Sequence, residues 1–219
     1  MKILCGLGIS TAIKNTDLFK HNRLENEDKR LHQYINGIKS FLKLNEIYIN
    51  NKLIDVYIID NTIPSHLNIH PLLLDIIPDH IKIITGNINN YGCYNKGAGI
   101  IEQWTHCKDF INKYDWFIHF EPRQLLLNNS FIDNFINNPR NLFTYGSNKN
   151  HFNTGLFTIK TAQLMMFITS YSPKKVMENK LGLEYILFEF IKNNNITFEI
   201  LKRMNLIWYD SYAQKEYYW

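Results

Sequence analysis

With 219 residues, 45% hydrophobic and 20% charged, the chain has the composition of one globular domain with a well-buried core, not that of a disordered tail. Its net charge of +4 is spread along the sequence without a basic run, which disfavours nucleic acid as a partner while suiting anionic ligands such as a diphosphate. Three cysteines, Cys5, Cys93 and Cys107, form no CxxC pair and no Cys/His cluster, so neither a disulfide nor a zinc site is expected.

The opening MKILCGLGIS has one lysine and an apolar run too short for a secretory core or a membrane span, so a cytoplasmic protein with no transmembrane segment is expected. Residues 2–7 read as a buried first strand, with Gly6-Leu7-Gly8 as a tight exit loop. Residues 25–44 place Leu31, Tyr34, Ile35, Ile38, Phe41 and Leu42 at three-and-four spacing, the pattern of an amphipathic helix. Residues 55–60, DVYIID, are an almost continuous apolar strand ending in a turn at 61–64, so two strands and the helix between them make a βαβ unit. Residues 80–85, HIKIIT, give a third strand, and 86–92 an Asn- and Gly-rich loop. A helix over 96–110 sets Ile100, Ile101, Trp104 and Cys107 on one side. Strands at 116–120 (WFIHF), 142–145 and 155–159, and a helix at 183–192, complete the series. Strand and helix alternate, which predicts a single Rossmann-like α/β domain over 1–219 with a mostly parallel central sheet flanked by helices.

In such a sheet ligands bind outside the carboxyl ends of the strands, which singles out four loops. Gly6 and Gly8 follow the first strand, but no third glycine completes a dinucleotide fingerprint. Asp60, with Asn61 and Thr62 behind it, ends the second strand. Its carboxylate can accept from a ribose or a base, or it can cap the turn through nearby backbone. Residues 87–97, which include Asn89, lead into Asn95-Lys96-Gly97-Ala98-Gly99 at a helix start. Small residues there let backbone approach an anion and Lys96 adds positive charge; equally, Gly97 and Ala98 suit close helix packing. The sequence has no GxxxxGK[ST], which disfavours a P-loop ATPase. His119, Glu121 and Arg123 alternate along HFEPR, so an extended chain would put a base, an acid and a fixed cation on one side of a strand end.

The run of motifs DVYIIDNT, NINNYGCYNKGAGIIEQW, YDWFIHFEPR and HFNTGLFTIK resembles the nucleotide-sugar glycosyltransferases of the GT-A fold, over most of residues 1–160. Small viral and bacterial members acting on surface glycans are the nearest in pattern, which for a viral source implies the host cytoplasm. The resemblance implies a nucleoside diphosphate sugar as donor and a glycan or glycoconjugate hydroxyl as acceptor. It implies that Asp60 contacts the nucleoside, that residues 87–97 line the donor, and that Glu121 meets the diphosphate. It further implies that Asn153, Thr154 and Gly155 floor the sugar and acceptor site, where a plain turn into a strand is the alternative. Glu184 stands where inverting members carry the catalytic base, although an acid in a first helical turn also complements the helix dipole. Asp210 is the next carboxylate for that role. On this division 1–125 is the donor half and 126–219 the acceptor half.

The family's Asp-x-Asp, which holds Mn²⁺ or Mg²⁺ against the diphosphate, is replaced here by Phe120-Glu121-Pro122-Arg123. Glu121 and His119 could form a minimal metal site, while Arg123 and Lys96 can compensate phosphate charge directly. Two other functions suit the same sheet. A nucleotidyltransferase would carry a Gly-rich loop with Arg and Lys after its first strand, whereas GLGISTAIK has Lys14 and no Arg. A non-catalytic glycan- or nucleotide-binding module would hold a donor without turning it over.

Overall fold

The computed structural model describes residues 1–11, 27–210 and 215–218. Its elements begin with β1 (Ile3–Ile9), α1 (Glu27–Leu44), α2 (Glu46–Asn50), β2 (Asp55–Asp60), α3 (Pro71–Leu74) and β3 (Lys82–Thr85). They continue with α4 (Lys96–His106), α5 (Lys108–Ile111), β4 (Trp116–Phe120), β5 (Leu125–Leu126), α6 (Ser130–Asn137), β6 (Leu142–Tyr145) and β7 (Phe152–Lys160). The last are α7 (Thr161–Ser170), α8 (Pro173–Glu178), α9 (Leu183–Asn193), β8 (Glu199–Ile200), β9 (Leu206–Asp210) and β10 (Lys215–Tyr218).

β1 sends Ile3, Cys5, Leu7 and Ile9 into one hydrophobic core and Leu4 into another, and β2 divides Val56 and Ile58 from Tyr57 and Ile59 in the same way. Alternation with apolar residues on both sides marks strands covered on both faces. The first core is closed by Tyr34, Ile38 and Phe41 of α1 and by Phe131, Ile132 and Phe135 of α6. The second is closed by Ala98, Ile101 and Trp104 of α4, with apolar residues of α7 and α9. The result is a helix–sheet–helix sandwich, each fully buried Leu, Ile or Phe contributing about 1.5–3 kcal/mol.

The central sheet has seven strands in the order β3-β2-β1-β4-β7-β6-β8. β3, β2, β1 and β4 run parallel, whereas β7 is antiparallel to both β4 and β6. The sheet is therefore mostly parallel, as alternation predicts, with one reversed strand. That reversal follows from chain length: only residues 146–151 join β6 to β7, enough for a hairpin and too few for a parallel crossover. A small antiparallel sheet, β10-β9-β5, joins the α1 side through Leu126 and Leu206 in the first core.

Several boundaries differ from those read in the sequence. Gly6 and Gly8 are not an exit loop, because β1 continues to Ile9 and pairs Gly6 with Tyr57 and Gly8 with Ile59. Both serve close packing: a Cβ on Gly6 would lie 2.9 Å from the Phe117 ring, and one on Gly8 2.7 Å from Gln103 Oε1. The helix expected over 96–110 breaks at Cys107 into α4 and α5. The helix expected over 25–44 is described from Glu27, residues 25 and 26 lying outside the described residues. No helix of the described residues is long and apolar enough to cross a membrane.

Candidate functional site

The chain steps outward from β1 to β2 to β3 and then returns to place β4 on the other side of β1. Open α/β sheets bind ligands at such a switch point, outside the carboxyl ends of the strands. A cleft of about 880 Å³ lies there, floored by Gly8, Gln103 and His119. This is the size range of small-molecule sites. On one face of the sheet the starts of α4 and α9 line it, and on the other Arg30 and Tyr34 of α1 with Trp208 and Tyr209 of β9. The β6–β7 hairpin adds His151, Asn153, Thr154 and Gly155.

The α4–α9 wall is held by specific polar contacts. Asn95 caps α4 by accepting from Ala98 N at 2.9 Å and donates from Nδ2 to Leu181 O at 3.1 Å, tying the helix start to the segment before α9. Gly97 lets the two segments approach closely, since a Cβ there would stand 3.0 Å from Leu183 N and the start of α9 would have to give by a few tenths of an ångström. Glu102 accepts from Asn90 N and Tyr91 N at 3.0 and 3.1 Å, which folds the preceding loop onto α4. Asn89 then lies over Gly92 and Gly99, where neither glycine could carry a side chain. α9 begins at Gly182, which has no side chain to cap it, so among the described residues its first turn has no side-chain cap.

Glu121 leaves β4 with its N–H donating to Gly155 O at 2.8 Å, and its carboxylate accepts from Arg123 Nε at 2.7 Å. Burial pushes the Glu121 carboxyl up, but the Arg123 charge and hydrogen bond, with Lys96 and His119, hold it below the usual carboxylate range. Burial, then the Arg123 guanidinium, push the Lys96 ammonium down to about 8; Glu121 opposes this, Arg30 reinforces it and Glu184 opposes it. Burial pushes His119 down to about 4, leaving a neutral ring packed 5.2 Å from both Trp104 and Phe157. Its Nε2 is buried with no hydrogen-bond partner among the described residues.

Of the residues singled out in the sequence, the cleft brings together Gly8, Asn89, Lys96, Gly97, His119, Glu121, Arg123, Asn153, Thr154, Gly155 and Glu184. Four others fall elsewhere. Gly6 is inside β1 against Phe117. Asp60 is fully buried and does not line the cleft: one oxygen accepts from Thr62 N and Oγ1, the other from Thr11 N and Oγ1. Both oxygens accept from backbone and hydroxyl donors, so this carboxylate clamps the β1 and β2 exits together. Thr62 is consumed in that clamp, and Asn61 is buried beside Gln103. Asp210 closes β9, its side chain lying outside the described residues together with Lys14.

A Glu121–His119 metal site does not fit either. Glu121 already accepts from Arg123, His119 is enclosed by rings, and among the described residues no three His, Cys, Asp or Glu side chains are grouped to hold an ion. Gln124 and Gly155 illustrate a different coupling: a Cβ on Gly155 would fall 1.7 Å from Gln124 Nε2, so the glycine makes room for a buried amide.

Sequence reasoning missed Arg30, Gln103, Gln124, His151 and Tyr185 as cleft residues. A usable signal existed for Gln103, a polar residue beside the apolar stripe of α4, which donates to Ile9 O at 3.1 Å and Ile59 O at 2.9 Å. Arg30 stands one helical turn before Tyr34 and donates to its hydroxyl at 3.3 Å, a pairing visible only once Tyr34 is known to face the cleft.

No protein-family model matches the chain, and no curated protein matches it in sequence. Similarity is found among solved structures. One is a protein assigned as a nucleotide-diphospho-sugar transferase from Desulfovibrio desulfuricans G20, with a TM-score of 0.54 and 10% identity, covering 92% of this chain and 80% of that one. Another is mouse xyloside xylosyltransferase 1, with a TM-score of 0.50 and 10% identity, covering 91% of this chain and 84% of that one. A third is the glycosyltransferase GlyE of Streptococcus pneumoniae TIGR4, with a TM-score of 0.50 and 13% identity, covering 92% of this chain but 45% of that one. At these identities the likeness is one of fold: the chain has a GT-A-like α/β fold of the kind found in nucleotide-sugar transferases.

Proposed function

We propose that the protein is a glycosyltransferase that moves a sugar from a nucleoside diphosphate sugar to a hydroxyl of a glycan acceptor. The observation that carries this is the gathering of Lys96, Arg123, Glu121 and Glu184 in one cleft at the carboxyl ends of β1 and β4. Fold alone supports many chemistries, so these side chains carry the reaction class.

Departure of a nucleoside diphosphate concentrates negative charge on its terminal phosphate. Lys96 and Arg123 stand where they can stabilise that charge, Arg123 with the planar fork that grips two phosphate oxygens at once. Glu121 orients Arg123 and offers its second oxygen to sugar hydroxyls. Glu184, half-buried in the first turn of α9, is our candidate for the base that takes the acceptor proton in an inverting transfer. On this view residues 1–125 supply most of the donor side and 126–219 the acceptor side.

A panel of UDP-, GDP- and dTDP-sugars tests the proposal by melting-point shift, since a ligand that binds only the folded state raises the midpoint. At least one is expected to raise it and to be hydrolysed slowly without acceptor; silence from the whole panel would refute the proposal. Glu184→Gln is expected to lower turnover by about 10²–10⁴-fold with donor affinity nearly unchanged. A variant of near wild-type rate would return Glu184 to a helix-dipole role.

A further inference from the structure

We infer that the cleft binds its diphosphate without a divalent cation, the positive charge coming from Arg30, Lys96 and Arg123 on three separate elements. This rests on the donor-site assignment above and deepens it. The first ground is the balance of charge. Among the described residues lining the cleft are four basic side chains, Arg30, Lys96, Arg123 and Lys180, against two carboxylates, Glu121 and Glu184. Hard divalent cations seek clustered carboxylate oxygens, and a site with surplus guanidinium and ammonium groups repels them.

The second ground is geometry. Glu121 occupies the strand end from which a carboxylate would reach a metal, yet it accepts from Arg123 Nε at 2.7 Å, so the position facing the phosphates is filled by a guanidinium. Lys96 enters from the start of α4, Arg30 from α1 across the cleft, and Arg123 from the turn after β4, a three-sided approach to one anion. The uncapped first turn of α9 adjoins Gly97 and adds N–H groups on the Lys96 side. Burial first, and then the Arg123 guanidinium, lower Lys96, and Arg30 adds to that repulsion, so the three cations lie close enough to feel one another.

Isothermal titration of UDP, GDP, dTDP and inorganic pyrophosphate, in excess EDTA and then in millimolar Mn²⁺, decides the matter. At least one is expected to bind in EDTA with an affinity within about threefold of that in Mn²⁺. Lys96→Met and Arg123→Gln should each weaken that binding about tenfold or more, as loss of a charge-assisted contact does. Arg30→Gln should weaken it severalfold while preserving the melting midpoint, because among the described residues Arg30 hydrogen-bonds and stacks on the Tyr34 side chain, a contact at the cleft wall and not in the core. Binding that appears only with Mn²⁺ would overturn the metal-free site and leave the donor site standing. Absence of binding under both conditions would overturn both. Unchanged affinity in Lys96→Met and Arg123→Gln would overturn the assignment of the charge to these residues.

Discussion

Asp60 shows why a strand-end carboxylate cannot be assigned from position alone. The sequence left it open between a ligand contact and a turn cap, and in the fold both its oxygens accept from Thr11 and Thr62, which supports the second. Thr11 is 49 positions away, which no local pattern reveals. The substitution Asp60→Asn is therefore expected to act on stability. An amide group would turn two donors against the Thr11 or Thr62 donors, at a cost of about 2 kcal/mol for a buried unsatisfied contact. Urea unfolding should show that loss while titration with UDP shows unchanged affinity; the opposite pair of results would restore Asp60 to the ligand site. His119, Glu121 and Arg123 were legible because residue type and spacing both carried signal. Their separation into a ring-packed neutral histidine and an ion pair was not, since it depends on Trp104 and Phe157 arriving from other elements.

Among the elements, those with strong periodicity were legible and those fixed by tertiary context were not. α1, β2, β4 and α9 lie where spacing put them, within a residue or two. β5 and β8 have two residues each and no pattern to read, and α7 is apolar around most of its circumference, whereas α6 carries a readable stripe in Phe131, Ile132 and Phe135 that the sequence reading passed over. Gly37 in the middle of α1 is a case where propensity and packing make opposite predictions. Alanine is the better helix former by about 1 kcal/mol, so Gly37→Ala would stabilise an isolated helix. In the fold, however, its Cβ would lie 1.9 Å from Pro122 O and 2.6 Å from Gln124 O, the backbone of the turn that carries Glu121 and Arg123. A backbone carbonyl cannot rotate away, so overpacking at the upper end of about 1–3 kcal/mol applies and outweighs propensity, for a net loss near 2 kcal/mol. The melting midpoint should fall by about 4–8 °C and nucleotide affinity should fall with it as the turn is displaced. A midpoint that rises would mean α1 does not press on this turn.

At the scale of the molecule, charge dispersed along the chain becomes a local field. The sequence shows a net +4 without a basic run, while folding gathers Arg30, Lys96, Arg123 and Lys180 into one cleft against Glu121 and Glu184. That field should be visible in the pH dependence of anion binding. In the free protein Lys96 loses its proton near pH 8, because burial and the neighbouring guanidinium groups disfavour the ammonium. A bound diphosphate favours the ammonium and raises its pKa. Well below pH 8 both states carry the proton and affinity does not depend on this group. Above pH 8 the free state is neutral, so binding takes up a proton and affinity falls as pH rises, by up to about tenfold per unit. The terminal phosphate of UDP, with a second pKa of about 6, is already ionised in this range and does not contribute. Titrating UDP near pH 8.5 in two buffers of different ionisation enthalpy measures the uptake directly. The wild type should take up a fraction of a proton that vanishes in Lys96→Met, while Lys96→Arg should keep its affinity to higher pH. Equal binding enthalpies in the two buffers for the wild-type protein would mean that Lys96 does not meet the anion.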